Sequence, residues 1–427
     1  MKKIYIGGHG ACGVHSEKQI LSYILGELDK VKRVDDYKEA DLIVLTDMCI
    51  STGYEIVFTL EKIDNILAEK KENAQVIVSG CLSKGLKHNL SDEHQKTLSK
   101  VTIKKPNELL QYVIEKVNTK VPEKYSLDIK MPYRFIDRAL HTSIVEGCLN
   151  NCSFCKSNYM NFDLKSIPLE TIKRFKEETE TQIEEKIQLT LGSSNLSQYG
   201  IDLYGTPKAH EAIKLLTSAE NIQWAYVGAL INLYPELVKE IINNEKIKNI
   251  FISLESGSKR VYDLMNRPIS LEKLTETIKT IKRERPDIII ESELICGFPT
   301  ETIDDFKRSL SLVEELDICP SFLHPYTDSS LVPAHNYVQK SIEYNYALML
   351  YGEEKLKRIC TDFENRIENG EQLVLFKSNQ YNCYHTMLVN GAVRNVSYNQ
   401  LDRVYEQGEI ILPNTIKPKQ LAKRFNN

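Results

Sequence analysis

The stretch Cys148-Leu149-Asn150-Asn151-Cys152-Ser153-Phe154-Cys155 decides how the rest of the chain is read. Three thiols stand at C-x3-C-x2-C spacing, with no fourth cysteine or histidine close by. Thiolates are soft ligands that suit iron–sulfur clusters and zinc. A structural zinc site closes with four protein ligands, so a set of three favours a cluster. Zinc and a chance grouping of thiols stay as the competing readings. A four-iron cluster on three thiolates keeps one iron for a ligand that the protein does not supply.

Composition sets the outer bounds. A chain of 427 residues is long enough for two to three domains, and 42% hydrophobic residues is ordinary for a globular core. The net charge of −4 lacks the overall basic excess of a dedicated nucleic-acid binder. No apolar run approaches the roughly 18 residues of a membrane helix. The opening Met1-Lys2-Lys3-Ile4-Tyr5-Ile6-Gly7 turns to glycine too soon for a signal peptide. Ten unevenly spread cysteines then fit metal ligation in a reducing cytoplasm better than disulfides.

Residues 1–120 predict an N-terminal doubly wound α/β domain. Short apolar strands are expected at 3–6, 41–46 and 75–79. Helices are expected after Ser16, an N-cap candidate, and over 55–71. Cys12, Cys49 and Cys81 each follow a strand end. Ligands gather at that edge of an open sheet, so three separate loops are placed to bring three thiols together; three unrelated buried thiols is the bland alternative. The loop Gly7-Gly8-His9-Gly10 lacks the endings of a P-loop or a dinucleotide fingerprint. Polar residues 121–140, with Pro122 and Pro132, read as a linker.

Residues 141–368 carry six strand–helix alternations. Strands are expected at 141–146, 186–191, 222–227, 247–254, 288–295 and 318–325. Helices are expected at 169–182, 207–219, 235–243, 271–283, 303–316 and 341–368. Six β/α units predict a partial (β/α)6 barrel with function at the C-terminal strand ends, and the cysteine loop follows the first strand. Residues 371–427 predict a small β module: strands at 372–377, 385–389, 392–397 and 408–412, with Asn390-Gly391 as a hairpin signal. Seven basic and four acidic residues give that module a net charge of +3.

With these motifs in order, residues 1 to about 365 resemble the radical S-adenosylmethionine (SAM) methylthiotransferase family. The resemblance rests on both cysteine triads. It rests also on Val145-Glu146-Gly147, on Asn195 with Tyr199-Gly200-Ile201-Asp202-Leu203-Tyr204-Gly205, and on Leu254-Glu255-Ser256-Gly257-Ser258 with Met265-Asn266-Arg267. Gly297-Phe298-Pro299-Thr300-Glu301-Thr302 with Asp305-Phe306 completes it. The chain departs from the family at Thr46-Asp47-Met48-Cys49, where Asn-Thr-Cys is more usual, and after Cys155, where a Pro and Arg-Gly element is missing. Glu255 stands where glutamine is typical, and the C-terminal module does not read as the family's RNA-binding type.

The resemblance implies two [4Fe–4S] clusters and SAM. Cys148, Cys152 and Cys155 would hold the catalytic cluster, whose open iron binds SAM and whose electron cleaves it to a 5′-deoxyadenosyl radical. Cys12, Cys49 and Cys81 would hold an auxiliary cluster that delivers sulfur, and a second SAM would methylate it to give C–S–CH3. Phe154 is expected to shield the site near the adenine. Asn195, Glu255, Ser256 and Arg267 lie past strand ends and are candidates for SAM or substrate, against plain loop-capping roles. Gly297 and Pro299 are expected to shape backbone near the adenine, against an ordinary turn. Cys296, Cys319, Cys360 and Cys383 read as structural, and His9, His324 and His335 receive no role.

A protein or ribosomally made peptide is the expected substrate. A tRNA adenosine is the alternative, favoured by the basic C-terminal module. A flavodoxin-like or ferredoxin-like electron donor is the expected partner. A non-catalytic iron–sulfur electron carrier is the rival class; it accounts for two clusters but not for six β/α units with SAM-type motifs.

Overall fold

Leu42-Ile43-Val44-Leu45 is apolar on both faces, and such a strand is stable only where both faces are covered. The computed structural model describes residues 1–8, 31–46, 53–80, 82–83, 92–117, 133–136, 139–156, 163–184, 186–329, 331–368, 374–378 and 385–388. Its first sheet is parallel and built from β1 (Lys2–Gly8), β2 (Val31–Arg33), β3 (Leu42–Thr46), β4 (Gln75–Val78) and β5 (Thr102–Ile103) in the order β2-β1-β3-β4-β5. The helices are α1 (Gly53–Glu69), α2 (Asp92–Leu98) and α3 (Pro106–Lys116). Leu42 and Val44 join Ile4, Ile6, Ile77 and Val113 in one core, while Ile43 and Leu45 join Leu60, Ile63 and Ile66 in another. Helices on both faces make the sheet doubly wound, as the alternation predicts. Strand order reverses between β1 and β3, which is the switch point where such sheets bind ligands.

The second sheet holds the six expected parallel strands. They are β7 (Ala139–Thr142), β10 (Ile187–Gly192), β11 (Ile222–Leu230), β12 (Ile247–Ile252), β13 (Ile289–Cys296) and β14 (Ile318–Pro325), adjacent in that order. Between them in the chain lie α4 (Leu169–Gln182), α5 (Ile201–Tyr204), α6 (Ala209–Thr217), α7 (Pro235–Asn243), α8 (Lys259–Leu264), α9 (Leu271–Glu284) and α10 (Ile303–Glu315). The long helix α11 (Ile342–Glu368) follows β14. Because each strand adds beside its predecessor, the sheet winds one way, as in a barrel.

Period-2 alternation sorts the two faces. Leu189, Leu191, Ala225, Val227, Ile250, Ile252, Ile290 and Leu294 enter the large core shared with the helices. The opposite face is polar: Thr190 is paired in register with His141 and Tyr226, and Tyr226 with Asn249. Asn249 donates to Glu291 at 2.7 Å.

Two expectations need correction. The first barrel strand ends at Thr142 rather than running to 146. Val145–Glu146 (β8) leaves the sheet to pair antiparallel with Lys165–Ser166 (β9), and Ser143 bonds Ser193 across the gap at 3.1 Å. The linker reading fails at its end: Tyr133–Ile136 (β6) is an antiparallel edge strand on β7. Its aromatic and β-branched residues favour a strand, a signal outweighed in the sequence by the nearby prolines. Beyond α11, β15 (Val374–Ser378) and β16 (His385–Leu388) pair antiparallel. The other expected C-terminal strands, Asn390-Gly391, the helix after Ser16 and the glycine-rich loop past Gly8 lie outside the described residues.

Candidate active site

Gly147 opens the cysteine loop with φ of 80°, a left-handed conformation that glycine adopts without cost. The chain then runs over the C-terminal ends of the barrel strands. Gln198, in the turn after β10, accepts the Leu149 N–H at 2.7 Å and donates to Asn150 Oδ1 at 2.8 Å. Asn150 passes the contact on to Asn232 beyond β11 at 3.2 Å. From the other side, Ser153 N–H donates to the Met265 carbonyl at 2.9 Å and its hydroxyl to that of Leu264 at 2.7 Å. Asn266, with φ of 53°, donates to the Asn151 carbonyl at 2.8 Å. Segments after β10 and β12 thus grip the loop by its backbone, and the segment after β11 meets it through the Asn150 side chain.

Two thiols receive N–H groups directly. Asn195 Nδ2 donates to Cys148 Sγ at 3.2 Å, and the Asn150 backbone N–H adds a longer contact of 3.5 Å. Arg267 Nη1 donates to Cys152 Sγ at 3.3 Å while Nη2 holds the Ser253 carbonyl at 2.6 Å. Burial raises the Cys148 thiol, with Asn150 and Asn195 opposing it. Burial also pushes Cys152 up to about 11 against the pull of Arg267. Both thiols also sense the charge of Cys155, so the three sulfurs form one electrostatic group.

Arg267 also lies 3.8 Å from Glu255, and both side chains are under 10% exposed. Burial and the charge of Glu293 push Glu255 up to about 8 despite Arg267. Glu255 has φ of 65°. Its backbone bridges to β13 through Glu255 N–H to Glu293 O at 3.0 Å and Ile295 N–H to Glu255 O at 2.9 Å. Glu293 is half-buried, and its hydrogen bond to His324 at 3.1 Å and the nearby cations hold it below the usual carboxylate range.

The remaining candidates divide. Phe154 packs on the apolar group of Val261, Met265, Ile295, Phe298, Tyr326 and Val332, with Arg267 5.8 Å over its ring. Ser256 turns away: its hydroxyl meets Ser309 of α10 at 3.3 Å and accepts from Ser258 N–H at 3.2 Å. Gly297 has φ of 75°, and a Cβ there would overlap the Asn345 carboxamide. Pro299 lies buried in the same turn. Cys296 and Cys319 are buried within strands, and His335 pairs with Asp328 at 2.7 Å. Cys12, Cys49, Cys81, Cys383, His9 and the Cys360 side chain lie outside the described residues.

Sequence reasoning missed Gln198, Asn232, Glu293 and the His324 contact. Glu291 and Glu293 did leave a trace. Acidic residues two apart in an apolar strand must share one face.

The donor set fits an iron–sulfur cluster. Its ligands are thiolates, and N–H groups already reach two of them. Among the described residues no three His, Cys, Asp or Glu side chains close on one point as around a single metal ion. A four-iron cluster asks for one thiolate per iron, so its ligands stand apart. Two features offer room and contacts for a further ligand: Asn195 Oδ1 is buried without a partner, and nothing lies within 4 Å of where a Gly192 Cβ would sit.

Residues 142–313 match the radical SAM superfamily. The chain is 28% identical to the ribosomal protein uS12 methylthiotransferase RimO of Clostridium botulinum, covering 73% of this chain and 72% of that one. It is 29% identical to the RimO of Thermodesulfovibrio yellowstonii, covering 66% and 65%. It is 26% identical to the tRNA-2-methylthio-N(6)-dimethylallyladenosine synthase of Thermosipho africanus, covering 74% and 73%. A solved structure of the cobalamin-dependent SAM radical enzyme OxsB aligns with a TM-score of 0.49 at 12% identity, covering 91% of this chain and 65% of that one. This chain therefore spans just under two thirds of the second RimO and of OxsB. The family implies a [4Fe–4S] cluster and SAM. The matched domain and these relatives support a radical SAM methylthiotransferase as what this chain is similar to.

Proposed function

We propose that this enzyme converts a C–H bond to C–S–CH3 on a protein or ribosomally made peptide. Cys148, Cys152 and Cys155 would hold the catalytic cluster, and Cys12, Cys49 and Cys81 would hold an auxiliary cluster that would supply the sulfur. The observation that carries the reading is the cysteine loop itself, gripped over the strand ends with Asn195 and Arg267 on two of its sulfurs. When bound, the cluster and SAM supply a carbon-centred radical able to take hydrogen from an unactivated C–H bond. The protein would bind, orient and exclude water: Phe154 would cover one side, and Arg267, Glu255, Asn195, Gly297 and Pro299 would border SAM.

The auxiliary site is supported by topology. Cys12, Cys49 and Cys81 follow Gly8, Thr46 and Val78 by four, three and three residues. Those are the C-terminal ends of three adjacent parallel strands, roughly 5 Å apart from one to the next. The adjacency of those strand ends supports the auxiliary-cluster reading.

A protein substrate is supported by the relatives named for uS12 and by the acidic balance of the chain. The tRNA reading is supported by the Thermosipho relative and the net +3 of residues 371–427. We place the enzyme in the cytoplasm, with a flavodoxin-like or ferredoxin-like electron donor. Among the described residues no helix is long and apolar enough to cross a membrane.

The test is anaerobic reconstitution, reduction and incubation with SAM and purified uS12, unmodified tRNA or candidate peptides. Methylthio product on protein or peptide supports the reading. Product on tRNA alone replaces it with the tRNA reading.

A further inference from the structure

Asn195 is fully buried at the N-terminal end of the 3-10 turn Leu196–Gln198. Its side chain does not cap that turn. Instead Nδ2 is committed to Cys148 Sγ at 3.2 Å, and Oδ1 has no partner. A buried carbonyl oxygen without a donor is costly, and native structures rarely keep one unless something fills it. The turn itself is firmly placed: Ser197 Oγ accepts from Ile231 and Asn232, and Gln198 bonds Leu149 and Asn150. The carboxamide is thus held with one end on a cluster ligand and the other presenting a free acceptor.

We propose that Asn195 is a positioning residue that couples SAM occupancy to the reduction potential of the cluster on Cys148, Cys152 and Cys155. This rests on the reading of those cysteines given above. The chemical requirement on the ligand is a hydrogen-bond donor, an ammonium or a hydroxyl, placed against Oδ1. SAM carries both.

Taking up one electron from an external reductant makes the cluster one unit more negative, and an N–H aimed at a ligating sulfur stabilises that state, so Asn195 raises the potential. A donor engaging Oδ1 polarises the amide and strengthens its N–H as a donor to sulfur, since chained hydrogen bonds reinforce one another. SAM binding then raises the potential further through Asn195. Linkage demands the reverse effect by the same factor: the reduced protein binds SAM more tightly than the oxidised protein.

The experiment uses the full chain with its cluster reconstituted anaerobically. Midpoint potentials are measured with and without SAM, and SAM dissociation constants in both oxidation states, for wild type, Asn195→Leu and Asn195→Asp. Asn195→Leu keeps the shape and removes both contacts. Its potential is expected to fall, SAM to bind about tenfold more weakly, and the SAM-induced shift to shrink. Asn195→Asp keeps an acceptor and loses the donor, so its potential falls while SAM binding is largely kept. Potentials and SAM-induced shifts equal to wild type in both cluster-loaded variants overturn the proposal. If neither variant loads a cluster, wild type decides. With isotopic nitrogen in asparagine side chains, a hyperfine coupling to the reduced cluster is expected, and its absence overturns the proposal. Failure of wild type to load a cluster at all is a different result, which removes the cluster assignment itself.

Discussion

Arg267 Nη1 stands 3.3 Å from the Cys152 sulfur, at the buried end of a side chain that also holds Ser253 and faces Glu255. Alanine at 267 strips all three contacts and the packing over Phe154. Glu255 can take a proton, so the cost stays below that of an orphaned full charge, at about 2–3 kcal/mol. Urea unfolding of the cluster-free protein measures it. SAM affinity of the loaded protein is expected to drop at least about tenfold. Arg267→Lys restores little, because an ammonium lacks the planar fork that reaches sulfur and carbonyl together. Full restoration by lysine would count against this geometry.

Gly297 and Gly205 make a matched pair, with φ of 75° and 73°. A Cβ at Gly205 meets nothing within 4 Å, while at Gly297 it runs into Asn345. Gly205→Ala is expected to cost only the backbone penalty of about 1 kcal/mol. Gly297→Ala adds a steric clash against a side chain fixed to the Tyr326 carbonyl at 2.8 Å, for about 2 kcal/mol or more in total. Equal denaturation midpoints for the two variants would refute the packing described for the Gly297 turn.

Glu301 supplies a pH signature outside the loop of Cys148, Cys152 and Cys155. Burial, helped by the charge of Asp305, pushes it up to about 8, although it accepts the Gly297 N–H at 2.6 Å. Its folded pKa exceeds its unfolded value, so the folded state holds a proton that the unfolded state has released. The stabilising contribution is complete below the ordinary glutamate range and is lost as pH rises through 8. Between about pH 6 and 9 the wild-type denaturation midpoint should fall more steeply than that of Glu301→Gln. Parallel slopes would show that Glu301 titrates normally.

Much of this was legible in the sequence because of periodicity. Leu42-Ile43-Val44-Leu45 demanded a sheet covered on both sides, and six alternating segments demanded a one-way winding. What escaped depended on contacts between segments far apart in the chain. Nothing local says that the Ser256 hydroxyl is drawn to Ser309, or that β8 swings out to β9. His324 gained meaning only when β14 came to lie beside β13 and Glu293. Asn195 and Arg267 were marked by their places past strand ends, but which sulfur each would touch needed the fold.

The two cysteine triads are expected to separate by substitution. Alanine at Cys12, Cys49 and Cys81 should abolish sulfur insertion and leave SAM cleavage detectable. Iron content should fall by about half, one of two clusters on thiolate ligands. Unchanged iron content and unchanged sulfur insertion would remove the auxiliary cluster from the account.

The most direct measurement is release of 5′-deoxyadenosine from SAM by the anaerobically reduced, cluster-loaded protein. Wild type should release it, and the variant with alanine at Cys148, Cys152 and Cys155 should release none. No release from wild type that carries its cluster and binds SAM would contradict the assignment of this loop as the radical-generating site.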